Sequence, residues 1–401
     1  MPGRAEPTAN PTRIASVDLL RGIVMIIMAL DHVRDYFGIA SFVPEDLSQS
    51  GTAYFFTRWI THFCAPVFVL LSGTSAWLYQ SNHGVSNAGL SRFLITRGLW
   101  LIVVEATFIT IFWQFSYSFV ILQIIWAIGC SMIVLGWLVF LPRTLILAIG
   151  IAMIVLHNGM LDGIEASSFG DFAWLWHMLH VQGYVPLPDG LLLDGVFFAY
   201  PLIPWIGVMA VGYGIAPLLQ RPAAERNRLL VVLGAAIIAT FLVLRGFNIY
   251  GESGTKWADA VWQDHGRGPW VAFMSFLNVS KYPPSLLFLC MTLGPMLVLL
   301  PYLENWRSTL ANIVSVFGRV PFLFYMLHIP FIHALSSIWL RLSFGVWDVN
   351  FFKVDAWPAS YTPSLTRVYC VWVLVVVLLY FPCKRFMDYR RANKQWWLSY
   401  I

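Results

Sequence analysis

Charged residues are scarce in this sequence. Asp, Glu, Lys and Arg make up 11% of its 401 residues, whereas hydrophobic residues make up 59%. A soluble domain carries roughly a quarter charged residues, so water is not the main solvent of this chain. Strict apolar and polar alternation is also lacking, which excludes a transmembrane barrel. The apolar runs, for example residues 19–30, 67–79, 99–112 and 369–381, instead predict membrane-spanning helices.

The signatures of several enzyme classes are missing as well. The sequence has no Walker loop, no GxSxG elbow and no Rossmann fingerprint. His177 and His180 have an HxxH spacing, but without further ligands at fixed spacing a solvated loop is the favoured interpretation and no metal is expected. None of the five cysteines has CxxC spacing, which argues against a disulfide or metal framework: Cys64, Cys130, Cys290, Cys370 and Cys383.

The predicted fold class is all-α, a polytopic membrane protein of about ten transmembrane helices. Two of the segments are long and interrupted, one by Lys281-Tyr282-Pro283-Pro284 and one by Gly318-Arg319-Val320-Pro321, which predicts broken or re-entrant helices. The spans are expected at about 14–35, 60–80, 93–113, 118–140, 144–160, 191–219, 228–248, 270–301, 309–343 and 365–383.

Positive charge predicts the orientation of these spans. Residues 158–190 contain four acidic side chains and no Lys or Arg, whereas basic residues cluster at 221–228 and 384–394. This asymmetry predicts cytoplasmic N and C termini, and it accounts for the net charge of +5 without nucleic acid as a partner. We expect a cytoplasmic tail at 1–12, one transmembrane domain at 13–384 and a cytoplasmic tail at 385–401.

The first span has the densest set of ionisable groups. Asp18, Arg21, Met25, Ala29 and His32 fall within roughly 100° of arc, so one stripe faces the bundle interior. At 1.5 Å per residue, Asp18 and His32 lie about 21 Å apart along the helix. Asp18 and Arg21 form either a structural ion pair or part of a binding site. His32 is a candidate general base or nucleophile.

Other candidates lie elsewhere in or near the spans. Placing an ionisable group in the membrane costs free energy, so such a group is a candidate for a functional role. His62 is expected at the depth of His32, and Arg319 needs an anionic or carbonyl partner. Glu105 is expected to pair with Arg97 or another basic group. The candidate catalytic residues are His32, His62 and Asp31; the cofactor-binding candidates are Asp18, Arg21, Arg97, Lys281 and Arg319; the substrate-binding candidates are His328, Asn278 and Asp35.

One stretch of the first span resembles a known family. Residues 13–22, with Arg13, Ser16, Asp18, Arg21 and Gly22, resemble the "R-x-x-S-(V/L)-D-x-x-R-G" opening of heparan-alpha-glucosaminide N-acetyltransferases. The segments 281–286, 318–328 and 396–400 are similar to the bacterial branch of that family. The resemblance implies a transmembrane acyltransferase in the bacterial inner membrane that takes acetyl from cytosolic acetyl-CoA. Its acceptor would be an amino sugar or another envelope glycan or glycolipid at the outer face.

The sequence also departs from the eukaryotic enzyme. His32 aligns where that enzyme has Asn, and the loop from Asp35 to Arg58 contains no His to match its catalytic histidine. Either His32 or His62 takes over that role, or the chemistry differs. The large luminal portion that handles heparan has no equivalent, which argues against heparan as substrate.

Three function classes follow from these patterns. The leading hypothesis is the acetyl-CoA-dependent acyltransferase, with Arg21, Arg92 and Arg97 near the CoA phosphates. The second is a transporter or flippase for an anionic solute or lipid. The third is a scaffold whose ion pairs serve only helix packing. Expected partners are the lipid bilayer, acetyl-CoA, a saccharide or lipid-linked acceptor and a second copy in a homodimer.

Overall fold

A computed structural model of the protein describes residues 14–38, 42–347, 357–393 and 395–399. The predicted tail at 1–12 therefore lies outside the described residues. The helices are α1 Ala15–Phe37, α2 Thr52–Trp59, α3 Cys64–His83, α4 Asn87–Val104, α5 Thr110–Gln114, α6 Ile124–Leu138, α7 Arg143–Leu161, α8 Ala173–Leu179, α9 Leu202–Ile215, α10 Ala223–Gly246, α11 Pro269–Leu277, α12 Leu286–Glu304, α13 Thr309–Arg319, α14 Pro321–Phe344 and α15 Leu365–Ala392.

The structure confirms an all-α polytopic membrane protein. Within the described residues, 8 helical segments are long and apolar enough to cross a membrane. Helix α1 has 23 residues, about 34 Å at 1.5 Å per residue, but its charged side chains set it apart from those eight. Helix α6 is apolar and shorter. The total of ten spans and the cytoplasmic location of the termini stay predictions.

A small sheet replaces the first turns of two predicted spans. Strands β1 Phe119–Leu122, β2 Gly183–Pro186 and β3 Gly195–Phe198 pair in the order β1-β3-β2, with β1 parallel and β2 antiparallel to β3. The expected spans at 118–140 and 191–219 accordingly become helical only at Ile124 and Leu202. Short apolar runs have no period that distinguishes a buried strand from a helix, so the prediction of helix at the start of both spans was wrong.

The two predicted helix breaks are confirmed. Helix α11 ends at Leu277 and α12 begins at Leu286, where the Ser285 hydroxyl accepts a hydrogen bond from the Phe288 N–H. Helix α13 ends at Arg319, and α14 begins at Pro321. Proline has no N–H and disfavours a helical residue before it, so it is suited to the first helical position and marks a new start. The second break places Arg319 at a helix end.

Glycine allows close contact between the most extensively packed helices. These pairs are α10 with α12, α4 with α6, α7 with α9, α3 with α9 and α1 with α13. At the α1–α13 crossing, a Cβ on Gly22 would lie 2.1 Å from the Val314 carbonyl oxygen, and one on Gly318 would lie 1.8 Å from that of Asp18. Helices that touch backbone to backbone need residues this small. The crossing fixes Asp18, Arg21 and Arg319 relative to one another.

Candidate functional site

Two cavities lie along α1 and share part of their walls. The larger has a volume of about 570 Å³ and is lined by Arg21 and Met25 at its α1 side. The smaller, about 30 Å³, is lined by His32 and has room for about one water molecule. Phe68 of α3 and Ile124 of α6 line both cavities. The stripe predicted on α1 therefore borders one cavity at its Arg21 end and the other at its His32 end.

Arginine side chains surround one end of the large cavity. Arg21 donates hydrogen bonds to the Gly318 carbonyl at 3.2 Å and to the Ser75 hydroxyl at 3.3 Å. Asp18 lies between two guanidinium groups, 3.7 Å from Arg21 and 3.6 Å from Arg319. The predicted ion pair thus exists and includes a third member. The arginines that line this cavity are Arg21, Arg97, Arg319, Arg390 and Arg391.

The sequence identified only three of these five arginines. Arg390 and Arg391 belong to the last turns of α15, where their charge had been explained by topology alone. Arg390 donates a hydrogen bond to the Arg319 carbonyl at 3.4 Å, which links α15 to the helix break. Arg92, grouped with Arg21 and Arg97 from the sequence, is instead exposed and is not among the residues that line the two cavities in the described part of the chain.

The middle of the large cavity is apolar. Its walls come from α1, α3, α4, α6 and the start of α14, so residues far apart in the sequence meet there. The apolar side chains of this section are Met25, Phe68, Phe93, Leu94, Leu101, Ile124, Ile125, Ile128, Met132, Phe322 and the ring of Tyr325. A site with cations at one end and an apolar passage behind them favours an elongated ligand with an anionic head.

His32 lies beside a second histidine. Its Nδ1 is 2.6 Å from Nε2 of His328 on α14, and the two rings stack with centroids 4.9 Å apart. The edge of Trp113 contacts the His32 ring at a centroid distance of 5.1 Å. Both histidines were candidates from the sequence, and the structure brings them into direct contact. His328 was proposed for acceptor binding, yet it lies behind His32 and is fully buried.

A network of ion pairs surrounds the C-terminal end of α1. Asp31 accepts hydrogen bonds from Arg58 at 2.5 Å and from Arg34 at 2.9 Å. Arg58 also binds Glu45 at 2.6 Å, and Arg34 binds Asp35 at 2.7 Å. The predicted candidates Asp31 and Asp35 are therefore held by arginines that the sequence did not single out.

His62 is also part of this region. Its Nε2 lies 3.7 Å from the Glu45 carboxylate, and its ring packs at 5.5 Å from that of Phe288. It is buried and is not among the residues lining either cavity within the described chain. Burial alone would raise the pKa of Glu45, but the Arg58 guanidinium and the nearby His62 outweigh burial and hold that pKa below its usual range.

The helix break before α12 places two further candidates. Lys281 lines the small cavity together with Asp31 and His32, so it lies with the histidines and not with the arginines where it had been grouped. The Asn278 side chain donates hydrogen bonds to the carbonyls of Glu45 at 2.9 Å and Trp257 at 2.7 Å. Asn278 therefore ties loops together at the edge of the site.

Glu105 is fully buried at the start of a π-helical turn, Glu105–Ile109, that follows α4. The groups around its carboxyl include the Tyr325 hydroxyl and the backbone N–H groups of Gln123, Ile125 and Trp126. N–H groups at a helix start favour a carboxyl nearby. From the sequence, a basic side chain was expected beside Glu105. The structure instead places its carboxyl near backbone N–H groups at the start of α6.

The two histidines of the HxxH pattern, His177 and His180, form separate contacts. His180 Nε2 lies 3.3 Å from the Asp162 carboxylate, whereas His177 Nδ1 donates to the Val181 carbonyl at 3.1 Å. Among the described residues, no group of three or more His, Cys, Asp or Glu side chains has the geometry of a metal site.

The fold and the cavities define a polytopic helical membrane protein with an arginine-lined internal site. Residues 13–246 match the family described as heparan-alpha-glucosaminide N-acetyltransferase, catalytic, and the chain belongs to this family of transmembrane acetyltransferases. The resemblance seen at residues 13–22 is thereby confirmed. A search of curated proteins found no match. The matched region ends at α10, so Lys281, Arg319 and His328 come from the part of the chain beyond it.

Proposed function

We propose that this protein transfers an acetyl group from acetyl-CoA in the large cavity to an acceptor that approaches His32. The observation that supports this most is the pair of cavities that share Phe68 and Ile124, with five arginines at one end and His32 at the other. A volume of about 570 Å³ also lies within the roughly 300–1,000 Å³ usual for small-molecule sites.

The arginine end suits the phosphate groups of CoA. Arginine binds phosphate through paired, charge-assisted hydrogen bonds. Asp18 would act through its neighbours, because it lies between Arg21 and Arg319 and holds both side chains in place. The Arg21 guanidinium is oriented further by the Gly318 carbonyl and the Ser75 hydroxyl. In this proposal the predicted donor-binding residues Arg21, Arg97 and Arg319 contact the CoA head.

The apolar passage suits the uncharged arm of the donor. The arm would run past Met25 and Leu101 toward Phe68 and Ile124, where the large cavity meets the small one. A thioester at that boundary would lie beside His32. Rearrangement of the Phe68 and Ile124 side chains would be required for the acetyl group and acceptor to meet, because the small cavity holds only about one water molecule.

The reaction requires one base. His32 accepts a proton from the attacking amine or hydroxyl group of the acceptor, the new C–N or C–O bond forms, and the thioester C–S bond breaks. The proton then passes from His32 to the leaving thiolate, which departs as CoA-SH. In the alternative route His32 attacks the thioester carbonyl, the C–S bond breaks and CoA leaves as the thiolate. The acceptor then attacks the acetyl group, the bond to His32 breaks, and the acceptor's proton passes to the thiolate. Lys281 and Asp31, which share the small cavity with His32, would contact the acceptor.

The orientation of the chain sets the direction of transfer. With both termini in the cytoplasm, the arginine end faces the cytosolic acetyl-CoA pool, and the His32 end faces the outer side. The acceptor would then be an amino sugar or another envelope glycan or glycolipid. The segments similar to the bacterial branch support location in a bacterial inner membrane, and homodimer formation stays a prediction.

Purified protein in lipid nanodiscs tests this function. Incubation with radiolabelled acetyl-CoA and glucosamine should yield acetylated product together with free CoA in equal amounts. Acetyl-CoA should also raise the melting temperature of the protein, since a ligand that binds only the folded state stabilises it. If acetyl-CoA at saturating concentration neither binds nor turns over with any of a panel of amino sugars, the proposal fails. Movement of an anionic solute in liposomes without donor turnover would favour the transporter instead.

A further inference from the structure

His328 lies behind His32 and not beside the cavities. Its side chain is 0% exposed, and it is not among the residues that line either cavity in the described chain. The ring packs between two others, with His32 at a centroid distance of 4.9 Å and Phe324 at 5.5 Å. A side chain enclosed in this way cannot contact a substrate that enters either cavity. Any effect of His328 on a reaction must act through His32.

The hydrogen bonds of His328 determine which of its nitrogens carries the proton. Nδ1 lies 2.7 Å from the Tyr325 carbonyl oxygen and 3.1 Å from that of Phe324. A carbonyl oxygen only accepts hydrogen bonds, so Nδ1 is the donor. A neutral imidazole has a single N–H, which leaves Nε2 of His328 as an acceptor. A cationic ring is disfavoured because the position is fully buried and a buried charge without a partner is costly.

The same reasoning extends to His32. Its Nδ1 lies 2.6 Å from Nε2 of His328, and two acceptors cannot form a hydrogen bond with each other. The proton of this hydrogen bond therefore belongs to His32 Nδ1. In a neutral ring, Nε2 of His32 then has the free lone pair. Two backbone carbonyls of α14 thus determine, through one intervening ring, which nitrogen of His32 is available as a base.

We infer that His328 is a positioning residue that holds His32 in the tautomer with a basic Nε2. The inference rests on the proposed function, in which His32 is the base or the acetyl carrier. The relation resembles that of a catalytic triad, where a third group holds the imidazole in the correct tautomer and orientation. Here a neutral imidazole takes the place of the usual carboxylate. When Nε2 of His32 accepts a proton or an acetyl group, the Nδ1–H bond to His328 persists and stabilises the cation that forms.

Two substitutions separate this role from packing. In His328→Gln the side-chain amide oxygen can accept the hydrogen bond from His32 Nδ1, whereas in His328→Phe the stacked ring is kept and the acceptor is lost. We expect His328→Phe to lower kcat about 100-fold with little change in the Kd for acetyl-CoA, and His328→Gln to recover most of the loss. His333→Phe, which removes another buried histidine of α14, is the matched control and should retain activity.

NMR of the wild-type protein with isotope-labelled histidine tests the tautomer without an activity measurement, with the His32 signals assigned by comparison with His32→Ala. We expect a protonated Nδ1 and a bare Nε2 on His32. A protonated Nε2 on neutral His32, or full activity in His328→Phe, would overturn the positioning role even in a protein that transfers acetyl. Absence of acetyl-CoA binding and transfer in the wild type would instead refute the proposed function, and the NMR result would be unaffected.

Discussion

Arg58 and Asp31 form a short ion pair at the C-terminal end of α1. Arg58 Nη1 lies 2.5 Å from Asp31 Oδ2, and the side chain of each residue is 12% exposed. Asp31 immediately precedes His32, so this ion pair joins the backbone that carries the proposed base to α2. Arg58 also binds Glu45 at 2.6 Å, which makes one guanidinium the counterion of two carboxylates.

Replacing Arg58 by methionine should destabilise the protein strongly. The substitution leaves Asp31 and Glu45 without their shared cation, and removal of one partner of a buried ion pair costs about 3–5 kcal/mol. Thermal unfolding in detergent measures the effect. Arg221→Met is the control, because Arg221 and Glu225 form an exposed pair and its loss should change stability by less than about 1 kcal/mol. Equal melting temperatures for the two variants would contradict the structural role of Arg58.

The contribution of Glu45 to stability should depend on pH. Its pKa is lowered in the folded protein, so the carboxylate stabilises the fold above the unfolded value of about 4.3 and stops doing so as pH falls through the folded value. We expect the difference in melting temperature between wild type and Glu45→Gln to be constant above about pH 5 and to shrink below it. A difference that grows on acidification would show that the sign of the pKa shift is wrong.

Gly318→Ala should separate α1 from α13. The added Cβ would lie 1.8 Å from the Asp18 carbonyl oxygen, which is backbone and has no other rotamer to adopt. Overpacking of this kind costs about 1–3 kcal/mol, and the shift would also move Asp18 and Arg319. Both melting temperature and acetyl-CoA affinity should fall. Gly246→Ala, at the end of α10 with nothing within 4 Å of the added carbon, should change neither. A Gly318→Ala variant with the melting temperature and acetyl-CoA affinity of the wild type would argue against the close α1–α13 crossing.

Arg97→Gln should weaken acetyl-CoA binding. If Arg97 contacts a phosphate, its loss removes a charge-assisted hydrogen bond of about 1.5–3 kcal/mol, which corresponds to a Kd about 10- to 100-fold higher. Isothermal titration with CoA and acetyl-CoA gives the affinity. Arg92→Gln on the same helix is the matched control, since Arg92 is exposed and does not line either cavity. Similar losses in both variants would mean that net charge, and not the cavity, governs binding.

Much of the architecture could be predicted because membrane helices follow from local composition. The stripe on α1 was visible since its residues recur at helical spacing, and both breaks were marked by proline. The placement of Asp18 beside Arg21 followed from the same spacing, and the structure adds Arg319 from across the bundle. Helical periodicity determines which side chains share a face, and it says nothing about which distant helix packs against that face.

The remainder of the site depends on contacts between distant segments. Arg58 of α2 pairs with Asp31 of α1, and Glu45 of the loop before α2 pairs with Arg58, so these contacts form only when the three segments pack together. Arg390 reaches the large cavity from the far end of the chain, and its sequence context suggested only a cytoplasmic anchor. The sheet was missed for a different reason. Residues 119–122 are a short apolar run between two helices, and such a run has no period that distinguishes a strand from a helix.

Transfer across the membrane, from the arginine side to the His32 side, can be measured in sided proteoliposomes. Protein of known orientation is reconstituted with radiolabelled acetyl-CoA on the arginine side and glucosamine on the His32 side, and acetylated product is measured in each compartment. We expect product on the His32 side in the wild type and none in His32→Ala, with acetyl-CoA binding retained by that variant. Product that forms only when donor and acceptor share a compartment, or full activity in His32→Ala, would contradict it.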